Sequence, residues 1–218
     1  MLELVSRHQI IAILRGVPAR HAPRLAEHLY RAGIRLLEVS LSDGHGLPGL
    51  QAIREAFGDD LHVGAGTVVT LERARQAQAA GAGFLLTPHL VPPVHAFARE
   101  QGLGLIAGAT TPTELQQALS EGSSVVKLFP AGDLGLGYLK SLFGPYPDLP
   151  LLVVGSIDQH NLGAFLQAGA VGAGIGSYLT KTDWNDPDFT LLETRARELL
   201  AIAEQCRRPH RPEQTAPS

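Results

Sequence analysis

Eight short apolar runs recur along this chain: IIAIL (10–14), RLLEVSL (35–41), LHVGAG (61–66), GFLLT (83–87), LGLIAG (103–108), SVVKLF (124–129), LLVVG (151–155) and VGAGIG (171–176). Several lack polar alternation, as expected of strands covered on both faces in a parallel sheet. The longer stretches HAPRLAEHLYRAG, LERARQAQAAG, TPTELQQALSEG and DQHNLGAFLQAG carry apolar residues at helical spacing and then end in glycine. Gly33, Gly81, Gly122 and Gly169 fall where a helix end wants a left-handed residue, just before the next strand. Thr70, Thr111 (before Pro112) and Asp158 stand where helix N-caps are expected. A crossover after every strand predicts βαβ units, and eight of them predict a single closed (β/α)8 TIM barrel of the α/β class. An open doubly wound sheet fits the same alternation and is the competing architecture.

A short helix is expected over residues 2–8 and a longer one over about 187–206. Residues 1–206 would then form the barrel. The Pro-rich polar tail at 207–218 is expected to be disordered. Hydrophobic residues make up 44% of the chain and charged residues 18%, which suits a packed enzyme core. The net charge of −3 gives no basic field for nucleic acid and no cationic face for a membrane. Cys206 is the one cysteine, so neither an intrachain disulfide nor a cysteine metal cluster is available, and a reducing cytoplasm is the expected compartment. The start MLELVSRHQIIAILRG lacks the pattern of a signal peptide.

Barrel enzymes keep their chemistry at the C-terminal ends of strands. Those places here hold Arg15, Glu38, Ser42, Thr67, Pro88, Lys127, Phe129, Val154-Gly155-Ser156 and Gly176-Ser177. Lys127 is conspicuous in SSVVKLFPA, among Val125, Val126, Leu128 and Phe129. A buried ammonium costs several kcal/mol unless it is paired or neutralised, and a neutral amine can attack a carbonyl. Taken alone, a strand lysine is more simply a snorkelling or ion-paired side chain; its company favours the nucleophile. Glu38, within LLEVSL, suits a general base, or a structural partner for Lys127. The fork of Arg15 suits a carboxylate or phosphate. The two Gly-Ser turns ending the last two strands suit a phosphate, because glycine lets backbone N–H groups approach an anion closely.

In order, IIAILRG, LLEVSL, VGAGTV, FLLTP, VVKLFPA and GAGIGS resemble the family of 2-keto-3-deoxy-6-phosphogluconate (KDPG) and 4-hydroxy-2-oxoglutarate (KHG) aldolases, over about residues 5–180. The resemblance implies a Schiff base on Lys127, acid–base work by Glu38, substrate anions held by Arg15 and Thr67, and phosphate held by Gly155, Ser156, Gly176 and Ser177. It also implies a homotrimer that needs no metal and no cofactor. Pro88 and Phe129 are expected to wall the site against water. Two departures point toward the branch acting on 2-keto-3-deoxy-6-phosphogalactonate. Ser42 stands where the gluconate branch has a carboxylate-binding arginine, and Val154 stands where that branch has threonine. Ser156 replaces a family glycine and would either add a phosphate contact or crowd its turn.

The expected reaction is therefore cleavage of a phosphorylated keto sugar acid into pyruvate and glyceraldehyde 3-phosphate, with no nucleic-acid or membrane partner. The alternatives are the gluconate epimer, unphosphorylated 4-hydroxy-2-oxoglutarate, a barrel isomerase with Glu38 as base, and a non-catalytic barrel that binds phosphorylated metabolites. His45, His62, His89, His95 and His160 lack metal-ligand spacing. Asp133 is expected as a helix cap, Tyr138 as a packing aromatic, and Trp184 as a loop or subunit contact.

Overall fold

A computed structural model describes residues 1–185 and 187–207; of the expected tail, 208–218 lie outside the described residues. The strands are β1 (Ile10–Leu14), β2 (Leu36–Ser40), β3 (His62–Gly66), β4 (Phe84–Leu86), β5 (Gly104–Ala109), β6 (Val125–Leu128), β7 (Leu151–Val154) and β8 (Gly172–Ile175). Neighbours pair in parallel and β8 closes onto β1, so the sheet is a closed barrel and not an open one. The helices are α1 (Leu2–His8), α2 (Ala22–Ala32), α3 (Gly46–Phe57), α4 (Leu71–Ala79), α5 (Pro92–Glu100), α6 (Pro112–Ser120), α7 (Ala131–Phe143), α8 (Leu162–Ala168), α9 (Ser177–Thr180) and α10 (Phe189–Gln205). Among the described residues no helix is long and apolar enough to cross a membrane.

Local chemistry accounts for the helix ends. Thr70 accepts a hydrogen bond from the Arg73 N–H, and Thr111 with Glu114 forms a reciprocal capping box. Gly33, Gly81, Gly122 and Gly169 all have positive φ, as their places in the sequence require. Asp158 is a correction: α8 begins after Asn161, and Asp158 instead accepts from the His160 N–H in the turn before it. Glycine and proline dilute the helical pattern of α3, α5 and α7. Pro92 and Pro93 fall in the first turn of α5, where an N–H has no partner to lose. The helix of α7 is interrupted at Gly135 (φ 83°).

A period of two decides what faces inward. Ile11, Ile13, Leu36, Phe84, Leu86, Ile106, Val125, Leu152 and Val154 form the barrel interior with Val5 of α1. Their strand neighbours, among them Ala12, Leu37, Val39, Leu85, Val126, Leu128 and Val153, pack outward under the helices. Each fully buried aliphatic side chain contributes roughly 1.5–3 kcal/mol. By the same parity, Glu38 and Lys127 point into the barrel. Large inward side chains fit because other inward positions are glycine: a methyl group at Gly64 would overlap the Phe84 ring, its register partner on β4.

His95 of α5 is 1% exposed. Its Nε2 accepts from the Val91 N–H at 3.3 Å, so Nδ1 carries the hydrogen that reaches Glu121 Oε2 at 2.6 Å. The ring pins α5 to the end of α6, a structural role. Burial holds the imidazole below its ordinary value of 6.5, while the hydrogen bond to Glu121 pulls the other way.

Gly64→Ala should lower stability by about 1–3 kcal/mol by overpacking the interior. Gly137→Ala, whose methyl would meet nothing within 4 Å, should leave the urea midpoint level or slightly higher. For His95, the unfolded chain takes up a proton below 6.5 that the folded chain resists, so its contribution is complete above that value and is lost as pH falls through it. Urea midpoints taken from about pH 7.5 down to about pH 5.5 should decline, and decline more shallowly in His95→Gln.

Candidate active site

Lys127 lies on β6 and is 4% exposed; Glu38 lies on β2 and is 0% exposed. Their strands are four steps apart in a ring of eight, so the two side chains project into the interior from opposite walls. Gly108 and Leu152 flank Lys127 in register, and Ile13 and Gly64 flank Glu38. The Lys127 Nζ sits 5.3 Å from the centre of the Phe129 ring. Neither Glu38 carboxylate oxygen has a hydrogen-bond partner, and among the described residues no ion pair joins it to Lys127. The simple structural ion pair weighed from the sequence is therefore not formed. Space for the carboxylate comes from Gly66, where a methyl group would overlap Glu38 Oε1.

A cavity of about 430 Å³ opens at the C-terminal ends of β6, β7, β8 and β1. Its wall includes Arg15, Phe129, Val154, Gly155, Ser156, Gly176 and Ser177, all expected site residues. Ile13, the register partner of Glu38, lines it, while the buried Lys127 and Glu38 themselves do not. Among the described residues no acidic side chain lines it. Arg15 is exposed and has no ion pair among the described residues. Thr67 and Pro88 do not wall this cavity. Thr67 lies after β3 in a left-handed conformation (φ 58°), its hydroxyl 3.0 Å from that of Ser40. Ser40 in turn donates to Ser42 at 3.0 Å, so three hydroxyls gather at the ends of β2 and β3. Pro88 is half-buried and packs against Gly108, where any side chain would overlap the Pro88 carbonyl oxygen. It backs the strand beside Lys127 and forms no part of the cavity wall.

The loops around the mouth are braced by polar contacts. Asp43 accepts from the Gly16 N–H and the His45 N–H, tying the turn after β1 to the loop after β2. Thr110 donates to the Phe129 carbonyl at 2.7 Å, and the Tyr138 hydroxyl donates to the Thr110 carbonyl at 2.7 Å. Gly155 and Ser156 are both left-handed, with φ 97° and 51°. Ser156 keeps the turn open by sending its hydroxyl hydrogen to Asp133 at 3.0 Å, so the backbone N–H is what this residue can offer an anion. Asp133 is consequently no helix cap: it lies within the first turn of α7 and anchors Ser156. The segment after β8 holds what the sequence reading missed. Lys181, Thr182 and Trp184 line the cavity, and Trp184 stacks on His21 with ring centres 5.7 Å apart. The cluster KTDWN carries no motif, so only the path of the chain brings it to the mouth. Among the described residues, no three His, Cys, Asp or Glu side chains converge as metal ligands would.

Comparison with known proteins places this geometry among relatives. The family model for KDPG and KHG aldolase matches residues 2–193. The chain is 36% identical over 180 residues to the 2-dehydro-3-deoxy-phosphogluconate aldolase of Treponema pallidum, covering 82% of this chain and 85% of that protein. It is 33% identical over 171 residues to the 2-dehydro-3-deoxy-6-phosphogalactonate aldolase of Escherichia coli, covering 78% and 83%. A solved native KDPGal structure superposes with a TM-score of 0.84 at 28% identity, covering 90% of this chain and 95% of that one.

A carboxylate held in an apolar interior without hydrogen-bond donors costs stability, as functional groups commonly do. Glu38→Met, which keeps the volume and removes the polar group, should raise the urea midpoint by an amount worth about 1 kcal/mol or more. A midpoint that falls would show that the carboxylate is a structural element of the core.

Proposed function

This chain belongs to the KDPG and KHG aldolase family, a family of aldehyde-lyases, and on that premise we propose that it cleaves 2-keto-3-deoxy-6-phosphogalactonate through a Schiff base on Lys127. The observation that carries the reading is the placement of Lys127 and Glu38 inside one barrel whose C-terminal mouth is lined by Arg15 and Lys181 and, among the described residues, by no acid. The Lys127 amine attacks the C2 carbonyl, and loss of water leaves an iminium ion. Glu38 takes the proton of the C4 hydroxyl as the C3–C4 bond breaks. The bonding pair moves into the iminium, so an enamine forms and glyceraldehyde 3-phosphate leaves. Protonation of the enamine at C3 and hydrolysis release pyruvate and restore the amine.

Arg15 and the hydroxyl of Thr67 hold the anionic end of the keto acid, which fixes the reacting carbons relative to Lys127. Gly155, Ser156, Gly176 and Ser177 receive the phosphate through backbone N–H groups, and that remote binding energy aligns the bond to be broken. The Phe129 ring, 5.3 Å from the Lys127 Nζ, is the wall placed to keep water from the amine. The galactonate choice rests on Ser42 and on Val154, whose apolar side chain lines the cavity where a hydroxyl would reward the other epimer. The gluconate epimer is the second reading, favoured by the identity to the Treponema pallidum enzyme. A cytoplasmic homotrimer working without metal or cofactor completes the proposal, supported by the family resemblance and the lone Cys206.

Borohydride added with pyruvate should give one covalent adduct by mass spectrometry, on Lys127. Lys127→Ala should give none and lose turnover by at least about a thousandfold. An adduct that persists in that variant would assign the nucleophile elsewhere. Turnover of the two epimers compared side by side should favour the galactonate compound, and the reverse order would hand the substrate to the second reading.

A further inference from the structure

The cavity wall contributed by the loop after β8 is unexplained by the residues considered so far. Lys181 lines the same cavity as Arg15, Ser156 and Ser177. Its N–H donates to the Ser177 carbonyl at 3.0 Å and closes the single turn of α9, so its backbone is fixed to the turn assigned to the phosphate. Arg195, which shares the adjoining groove with Lys181, is committed: it donates to the Tyr178 carbonyl at 2.9 Å and lies over the Tyr178 ring. Lys181 has no ion pair among the described residues. An adjoining open groove carries Asp158 and Asp183 beside Lys181, but neither acid lines the cavity itself. The stack of Trp184 on His21 ties this loop across to the turn after β1 and keeps Lys181 at the rim.

Resting on the aldolase reading above, we propose that Lys181 is a specificity-determining residue that recognises the phosphate dianion of the substrate. A substrate with a carboxylate at one end and a phosphate at the other needs a cation for each. Among the described residues Arg15 and Lys181 are the two cationic side chains that line the cavity, and the rest of that wall is apolar, hydroxyl or backbone. The backbone N–H groups of the Gly-Ser turns supply direction, and Lys181 supplies net charge. A solvated surface lysine would contribute almost nothing to a neutral ligand, so the effect should depend on the phosphate alone.

The test compares wild type, Lys181→Met and Lys181→Arg. The readouts are the ratio of kcat/KM for the phosphorylated keto acid to that for unphosphorylated 2-keto-3-deoxygalactonate, whose far end is a neutral hydroxyl, and competitive inhibition by inorganic phosphate. Lys181→Met should lower the ratio by about tenfold or more and weaken phosphate inhibition in parallel, and Lys181→Arg should recover most of both. An unchanged ratio in Lys181→Met, or an equal loss on both substrates, overturns the assignment. Failure of the underlying reading shows in wild type alone, as no preference for the phosphorylated acid or no pyruvate adduct, and then the role of Lys181 falls with it.

Discussion

Placing an amine and a carboxylate inside one apolar cylinder is the constraint around which the rest of the molecule is arranged. Neither group gains stability there. Glu38 has no hydrogen-bond donor on either oxygen, and Lys127 has an aromatic face and apolar strand neighbours for company. The surrounding structure bears that cost through a continuous outer core, where Leu, Val, Ile and Ala from every strand pack beneath the helices. The inner positions are then free to alternate between bulky apolar residues and glycine. Gly66 beside Glu38, Gly64 beside Phe84 and Gly108 beside Pro88 are each required by a neighbour that would otherwise overlap. A closed barrel makes this possible because each strand shows alternate residues to one small interior.

The second layer of organisation is electrostatic and sits at the mouth. Three acids near the mouth are turned to structural tasks. Asp43 joins two loops, Asp133 holds the Ser156 hydroxyl, and Glu114 accepts from the N–H groups of Thr110 and Thr111. Those N–H bonds hold the Glu114 carboxyl below its usual range. None of these carboxylates lines the cavity, whose charged side chains among the described residues are Arg15 and Lys181. An anionic ligand is thus offered charge of one sign, within loops whose backbones are held by bracing bonds.

The elements recovered from the sequence were those with a local cause. Threonine caps at Thr70 and Thr111, left-handed glycines after helices and unbroken apolar strands all report physics acting within a few residues. Asp158 shows the limit of that logic, since a capping side chain stood nearby but Asn161 took the position that begins α8. Asp133 shows another: its carboxylate is used by Ser156, a residue 23 positions away. Pro88 and Phe129 read as equivalent walls in sequence, yet only Phe129 reaches the cavity. Trp184 and Lys181 carried no signal because their importance lies in a loop folded back over the first turn of the barrel.

By itself, the chain determined an eightfold β-α repeat, several of its helix ends and the placement of Glu38 and Lys127 within apolar strands. Periodicity, capping and glycine geometry are local, so they can be read from neighbouring letters. Only the tertiary structure decided that the sheet closes, that these two groups come from opposite walls, and which turns share one cavity. Those outcomes depend on pairing between β8 and β1 and on loops from distant segments, and contacts across such separations leave no periodic trace in sequence.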